Sequence, residues 1–268
     1  MKIQSILCPT DFSEPSRHAM EHAVALAQWS GARIVPLHVQ TPAFATVPAL
    51  DDPAPHLAPG TQLIAGESPA DAIAEFATSS RADLIVIGTH GASGFRHLIL
   101  GSVTESVLRK VDCPVLTVPP RAQSTAKLPF GHLLCAVDFS ASSLKALQLA
   151  CRWAEEGDAR LDILHVVDEP DEHALFVARP YDIHHHPEVY ERRVAEHLKR
   201  VLPPNTCEHS QLHYRITRGN AEDEILRVAA EGGADVIVMG IGRGNSPIFG
   251  STVNHVVRNA RCSVLTVR

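Results

Sequence analysis

The chain has 268 residues, 45% of them hydrophobic and 20% charged, the composition of a folded globular protein and not of a disordered one. Its 24 basic and 30 acidic side chains leave a formal charge of −6, which argues against nucleic-acid binding through counterion release. No apolar run approaches the roughly 18 residues of a membrane span, and no signal-peptide pattern opens the chain. Six cysteines include no Cys-x-x-Cys pair, and Cys8, Cys113, Cys135 and Cys262 fall in or beside predicted strands. There a free thiol acts as a small hydrophobe, so a reducing, cytoplasmic setting is expected.

Short apolar runs predict strands over Ser5–Cys8, Ile34–Val39, Thr61–Ala65, Leu84–Ile87 and Val115–Val118. Helical patterns lie between them. The first opens near Ser13-Glu-Pro15, with Met20, Val24 and Ala27 on one face. Another opens at Ser68-Pro69, serine as cap and proline in the first turn. After Leu84–Ile87 comes a glycine-rich stretch, Gly88 to Gly101, and then a helix whose Ser102 and Glu105 have capping-box spacing. Strand, glycine loop and helix N-terminus together place backbone N–H groups and a positive dipole end where an anion can dock.

Prolines 42, 48, 53, 55 and 59 exclude a regular helix between the second and third strands. The second half of the chain repeats the first with one difference there. Asp11-Phe-Ser and Asp138-Phe-Ser lie 127 residues apart, as do Leu37-His38-Val39 and Leu164-His165-Val166, and Gly101-Ser102 recurs at Gly250-Ser251. The second copy has a helical pattern after Pro187, with Tyr190, Val194, Leu198 and Val201 in step. That helix is expected to be available to cover the thinned face of the first unit. The second copy's glycine loop is shorter, and Pro247 within it removes a donor. The expected organisation is one unit over 1–118, a Pro-containing linker over 119–128, and a second unit over 129–268. Each alternates strands and helices, predicting a parallel doubly wound sheet with its ligand crevice at the strands' carboxyl ends.

Gly88-x2-Gly91-x9-Gly101-Ser102, with Pro9-Thr-Asp-Phe-Ser-Glu14 at the start, resembles the ATP-binding branch of the universal stress proteins, here in tandem. The resemblance covers nearly the whole chain. It implies two Rossmann-like α/β units, each a five-stranded parallel sheet of order 3-2-1-4-5, joined through their last strands as an intramolecular pseudo-dimer. Further self-association through other surfaces stays open. It implies ATP in unit 1, with Pro9, Thr10, Asp11 and Val39 at adenine and ribose and Ile87 and Gly88 lining the pocket. Gly91, Gly101, Ser102, Val103 and Thr104 would cradle the phosphates, and Mg²⁺ would accompany them. Unit 2, with its shortened loop, is expected not to bind ATP fully.

Each candidate has a plainer account. Asp11 can instead be a helix cap, and the glycines a tight turn. Arg96 and His97 either reach a terminal phosphate or are exposed loop residues. The run His184-His185-His186 offers Zn²⁺-type ligands, with His184 and His186 the candidates, or simply a solvated loop. His38 and His165 read as packed sheet residues. No Gly-x4-Gly-Lys-Ser/Thr run is present, and no nucleophile–base pair marks a catalytic site. Three readings stay open: an ATP-dependent stress-signalling module with an unidentified partner, a slow ATP hydrolase or self-phosphorylating enzyme using the same pocket, or a nucleotide-independent scaffold or metal-binding protein centred on unit 2.

Overall fold

The structure, a computed structural model, describes residues 3–41, 60–89, 100–120, 122, 130–167, 211–242 and 250–268, with Arg192, Val194, Glu196, His197 and Arg200. In unit 1 the elements are β1 (Ser5–Pro9), α1 (Glu14–Ser30), β2 (Arg33–Gln40), β3 (Gln62–Ala65), α2 (Pro69–Ser79), β4 (Leu84–Gly88), α3 (Ser102–Lys110) and β5 (Val115–Val118). Unit 2 contains β6 (His132–Ala136), α4 (Ala141–Glu156), β7 (Arg160–Val167), β8 (Leu212–Arg218), α5 (Ala221–Gly232), β9 (Val236–Gly240), α6 (Ser251–Asn259) and β10 (Ser263–Val267). All ten strands form one sheet in the order β3-β2-β1-β4-β5-β10-β9-β6-β7-β8. Each half therefore has the 3-2-1-4-5 order that the resemblance implies.

Strand pairs are parallel within each half, and β5–β10 alone among them is antiparallel. That seam is pseudo-symmetric. Leu116 faces Leu265, while Thr117 faces Val264 and Thr266 faces Val115. The two buried threonines donate reciprocally, Thr117 Oγ1 to the Val264 carbonyl and Thr266 Oγ1 to the Val115 carbonyl, each at 3.1 Å. The duplicated chain thus closes on itself as a pseudo-dimer, the shape of an isologous contact.

Central strands such as β4, β5, β9 and β10 are buried along nearly their whole length because helices cover both faces. One core lies under α1 and α4, and the other under α2, α3, α5 and α6. Across the pseudo-twofold, Trp29 of α1 meets Trp153 of α4 edge-on at 6.0 Å, and Phe130 stacks on Trp153 at 5.8 Å. Arg258 of α6 lies 3.6 Å from Glu105 of α3. Arg268 donates to the carbonyls of Leu108 and Arg109 at 2.8 and 2.7 Å, a cation on the negative end of α3.

The described residues between 192 and 200 are helical, and they pack over their own unit. Val194 is buried in the same core as Leu147 and Cys151, and the His197 ring lies 4.9 Å from Phe139. The expectation that this helix covers unit 1 is therefore corrected: β7 and β8 flank the loop that carries it, so its nearest apolar face is its own.

Unit 2 also buries a carboxylate where the internal repeat gives unit 1 Val35. Asp162 on β7 is 1% exposed and accepts from Arg160 at 2.7 and 2.9 Å, with Arg215 of β8 at 2.7 Å and His132 of β6 at 3.4 Å. Burial works to raise its pKa, but the Arg160 hydrogen bonds and the neighbouring cations prevail and hold it below the usual carboxylate value. A folded pKa below the unfolded one gives stability that is complete above the ordinary carboxylate range and is lost as pH falls through the folded value. Asp162→Ala is expected to cost about 3 kcal/mol. That is the low end for breaking a buried pair, because Arg160 and Arg215 keep about a third of their surface in water. Urea unfolding of wild type and variant from neutral to acid pH should show the difference shrinking as pH falls.

Candidate functional site

The strand order reverses direction between β1 and β4, whose parallel register pairs Ile6 with Leu84 and Leu7 with Ile85. In an open α/β sheet the crevice forms at such a point, above the strands' carboxyl ends. Pro9 ends β1 there, Val39 lies near the end of β2, and Ile87 and Gly88 end β4. Gly101 to Thr104 form the entry of α3 at the same edge, because Thr104 Oγ1 donates 2.7 Å to the Gly88 carbonyl. The structure thus brings together Pro9, Thr10, Asp11, Val39, Ile87, Gly88, Gly101, Ser102, Val103 and Thr104. Gly91, Arg96, His97, His184 and His186 lie outside the described residues.

The β1–α1 loop is held by Phe12 and Thr10 together with His38, which the sequence alone marks only as a packed sheet residue. Phe12 adopts φ 62°, a left-handed backbone rare for a bulky side chain. Its ring lies 4.6 Å from the His38 ring, and His38 Nδ1 donates 2.8 Å to the Thr10 carbonyl. Thr10 N–H goes to the Leu37 carbonyl at 2.8 Å, and Thr10 Oγ1 accepts from Phe12 N–H at 3.1 Å. Unit 2 repeats the device with Phe139 at φ 63°, its ring 4.9 Å from His165, and His165 Nδ1 on the Val137 carbonyl at 2.8 Å. The signal was present as Asp-Phe-Ser and Leu-His-Val recurring at one offset.

Asp11 is exposed at the tip of this loop. It does not cap α1; Ser13 does, with its Oγ accepting from Ser16 N–H at 3.4 Å. Asp11 Oδ1 in turn accepts the Ser13 N–H at 3.1 Å and the Ser13 hydroxyl at 2.5 Å. In unit 2 Asp138 likewise accepts from Ser140 N–H at 2.9 Å. Burial works to raise the Asp138 pKa, yet the Ser140 and Ser143 hydroxyls outweigh it and hold the carboxyl low. The aspartate therefore braces the cap in both units.

At α3 the expected capping box is absent. Gly101 is the N-cap, with no side-chain cap bond, and Ser102 is the first helical residue. Glu105, expected to reach back, pairs instead with Arg109 and Arg258. The Gly101 N–H is already engaged, donating 2.8 Å to the Thr89 carbonyl, and its own carbonyl accepts from Glu105. What remains at the helix start is the N–H groups of Ser102, Val103 and Thr104, which have no acceptor among the described residues. Orphan amides at a helix N-terminus are suited to an anion. The Thr104 side chain is buried, so that residue can offer a ligand only its N–H.

Unit 2 keeps the frame and changes the contents. Gly250 caps α6, again without a side-chain bond, and Val253 stands where unit 1 has Thr104. Gly240 is required by packing: a Cβ there would lie 2.3 Å from Ser143 N, at the start of α4. Around Val39, Gly66 is close-packed but less tightly, since its Cβ would meet Ala72 Cβ at 3.1 Å and Val39 Cγ1 at 3.3 Å.

No group of three or more His, Cys, Asp or Glu arranged for a metal occurs among the described residues. Cys8, Cys113, Cys135, Cys151 and Cys262 are free thiols. Burial pushes Cys113 up to about 11 and Cys8 and Cys262 up to about 12, and such thiols are inert. No helix among the described residues is long and apolar enough to cross a membrane.

Two doubly wound α/β units joined into one sheet place the chain among tandem Rossmann-like proteins. The profile of the universal stress protein family matches residues 2–119 and again 129–268, and the chain belongs to that family. A universal stress protein of Methanocaldococcus jannaschii is 32% identical over 138 residues, 43% of this chain and 81% of that one. One from Mycobacterium tuberculosis is 28% identical over 199 residues, 71% of this chain and 63% of the relative. The crystal structure of a universal stress protein from Archaeoglobus fulgidus superposes with a TM-score of 0.67 at 24% identity, covering 98% of this chain and 96% of the other. It shares the fold.

The Thr104–Gly88 bond ties the anion-ready helix to the sheet. Thr104→Val is expected to leave the buried carbonyl unpaired and to cost about 1–3 kcal/mol, read as a lower urea midpoint with an unchanged m-value. Val253 in unit 2 shows that the shape is tolerated.

Proposed function

We propose that unit 1 binds ATP, and that this member of the universal stress protein family acts as a nucleotide-dependent signalling module. The observation that carries the reading is the set of unspent amides of Ser102, Val103 and Thr104, at the β1/β4 switch point and on the edge where Asp11 stands. Three N–H groups and a positive dipole end fit a phosphate chain. Pro9, Thr10, Asp11 and Val39, one and two strands over, suit the nucleoside; Ile87 and Gly88 suit the floor, and the family motif assigns Gly91 to the phosphates. Gly101 shapes the turn, since its own amide is engaged by Thr89. The glycine stretch contains no lysine and one arginine, Arg96, so most of the charge neutralisation is assigned to Mg²⁺, held largely by phosphate oxygens and water.

Ser102→Pro isolates the claim. Proline is accepted at the first helical position, and Gly101, at φ −58° and ψ 135°, already has the backbone that a following proline demands. The substitution deletes one donor and leaves the helix standing. Calorimetry is expected to show one ATP per wild-type chain and an affinity weakened about 10- to 100-fold in the variant, the worth of one hydrogen bond to a charged group. Wild type without ATP affinity, or a variant binding as tightly, overturns the reading. ADP accumulating in the wild-type sample would mark the hydrolase instead.

A further inference from the structure

The two outer edges of the sheet are not alike. β8, on the unit 2 side, carries His213, Arg215 and Arg218, charge of the kind that keeps an edge strand from pairing. β3, on the unit 1 side, reads Gln-Leu-Ile-Ala, without charge or proline, and Gln62, Leu63 and Ala65 are exposed.

Beside β3, described residues also leave apolar surface exposed. Val24 at 39% and Leu63 at 51% are the exposed large hydrophobic residues among those described. Both belong to the α1 side of the sheet, Leu63 being in register with His38. Their counterparts by the internal repeat are covered. Cys151 stands for Val24 and is fully buried, and Ile216, for Leu63, packs on the core that includes Val194. Unit 2 lays a helix on this face and unit 1 has five prolines in the corresponding connection.

The molecule already shows what such an edge does. β5 is likewise four uncharged residues, Val-Leu-Thr-Val, and it pairs antiparallel with β10 about the Leu116–Leu265 pair. A helix from another protein would cover the exposed side chains but supply no strand to pair along β3. A second strand of the same sequence, related by a twofold, answers both.

We propose that a second copy of this chain occupies this surface, β3 pairing antiparallel with β3 of the other copy, Leu63 facing its equivalent as Leu116 faces Leu265. The two sheets then run on as one, and Leu63 is buried at the new seam. The proposal is independent of nucleotide binding.

Sedimentation velocity on the full chain through the micromolar range tests it, with Leu63→Lys and Gln62→Lys as variants. Both positions are exposed, so the fold should persist, with thermal melts at dilute concentration close to wild type. Wild type is expected at twice the chain mass, and either lysine is expected to halve it, Leu63→Lys by placing like charges opposite each other across the twofold and Gln62→Lys by setting a charge opposite Ile64 of the other copy at the seam. A wild type that stays at single-chain mass, or lysine variants that still dimerise, overturns the proposal.

Discussion

The antiparallel contact between β5 and β10 is the constraint on which the rest of this molecule depends. It turns two half-sheets into one, and the reciprocal Thr117 and Thr266 hydrogen bonds fix its register. A one-residue slip would turn the buried seam residues to the wrong faces. From that register follow the contact of Trp29 with Trp153 on one side and of α3 with α6 on the other. Arg268, carried in by β10, then lands on the last carbonyls of α3. The helix whose N-terminus has unspent amides is thereby held at its far end by the other unit.

Duplication supplies an internal comparison for nearly every claim about unit 1. Where both units share a feature, as in the Phe12–His38 and Phe139–His165 pairs, the feature serves the loop and not a ligand particular to one unit. Where they differ, the difference points to divergent use. Thr104 against Val253 separates a helix tied to its strand from one that is only packed on it. Asp162, buried among Arg160, Arg215 and His132, gives unit 2 an ionic clamp on its outer strands, on the face of the sheet opposite the core that includes Val194. Among its described residues, unit 1 has neither such a clamp nor a covering helix.

The strands were legible because buried parallel strands are short apolar runs: Val115–Val118 and Leu84–Ile87 are found at or within one residue of their expected bounds. Helix starts were legible where a side chain makes the cap, as at Ser13 and Ser68. The reading failed at Ser102, where the spacing to Glu105 matches a capping box but Glu105 is drawn to Arg109 and Arg258 instead. Arg258 is 153 positions away in the chain, so local spacing carries no sign of it. His38 was underestimated for a similar reason. Its partner is a backbone carbonyl, which leaves no trace in residue types.

By itself the sequence determined the fold class, the internal repeat, the family resemblance and the sheet edge where the candidate residues gather, because periodicity, glycine placement and repeat offsets are local or self-referential. Only the tertiary structure decided which amides at that edge are spent and which are open. Gly101 N–H goes to Thr89 and the Thr104 hydroxyl to Gly88, while the first turn of α3 keeps its donors. Hydrogen-bond satisfaction is a property of groups brought together in space, and a linear pattern does not encode it.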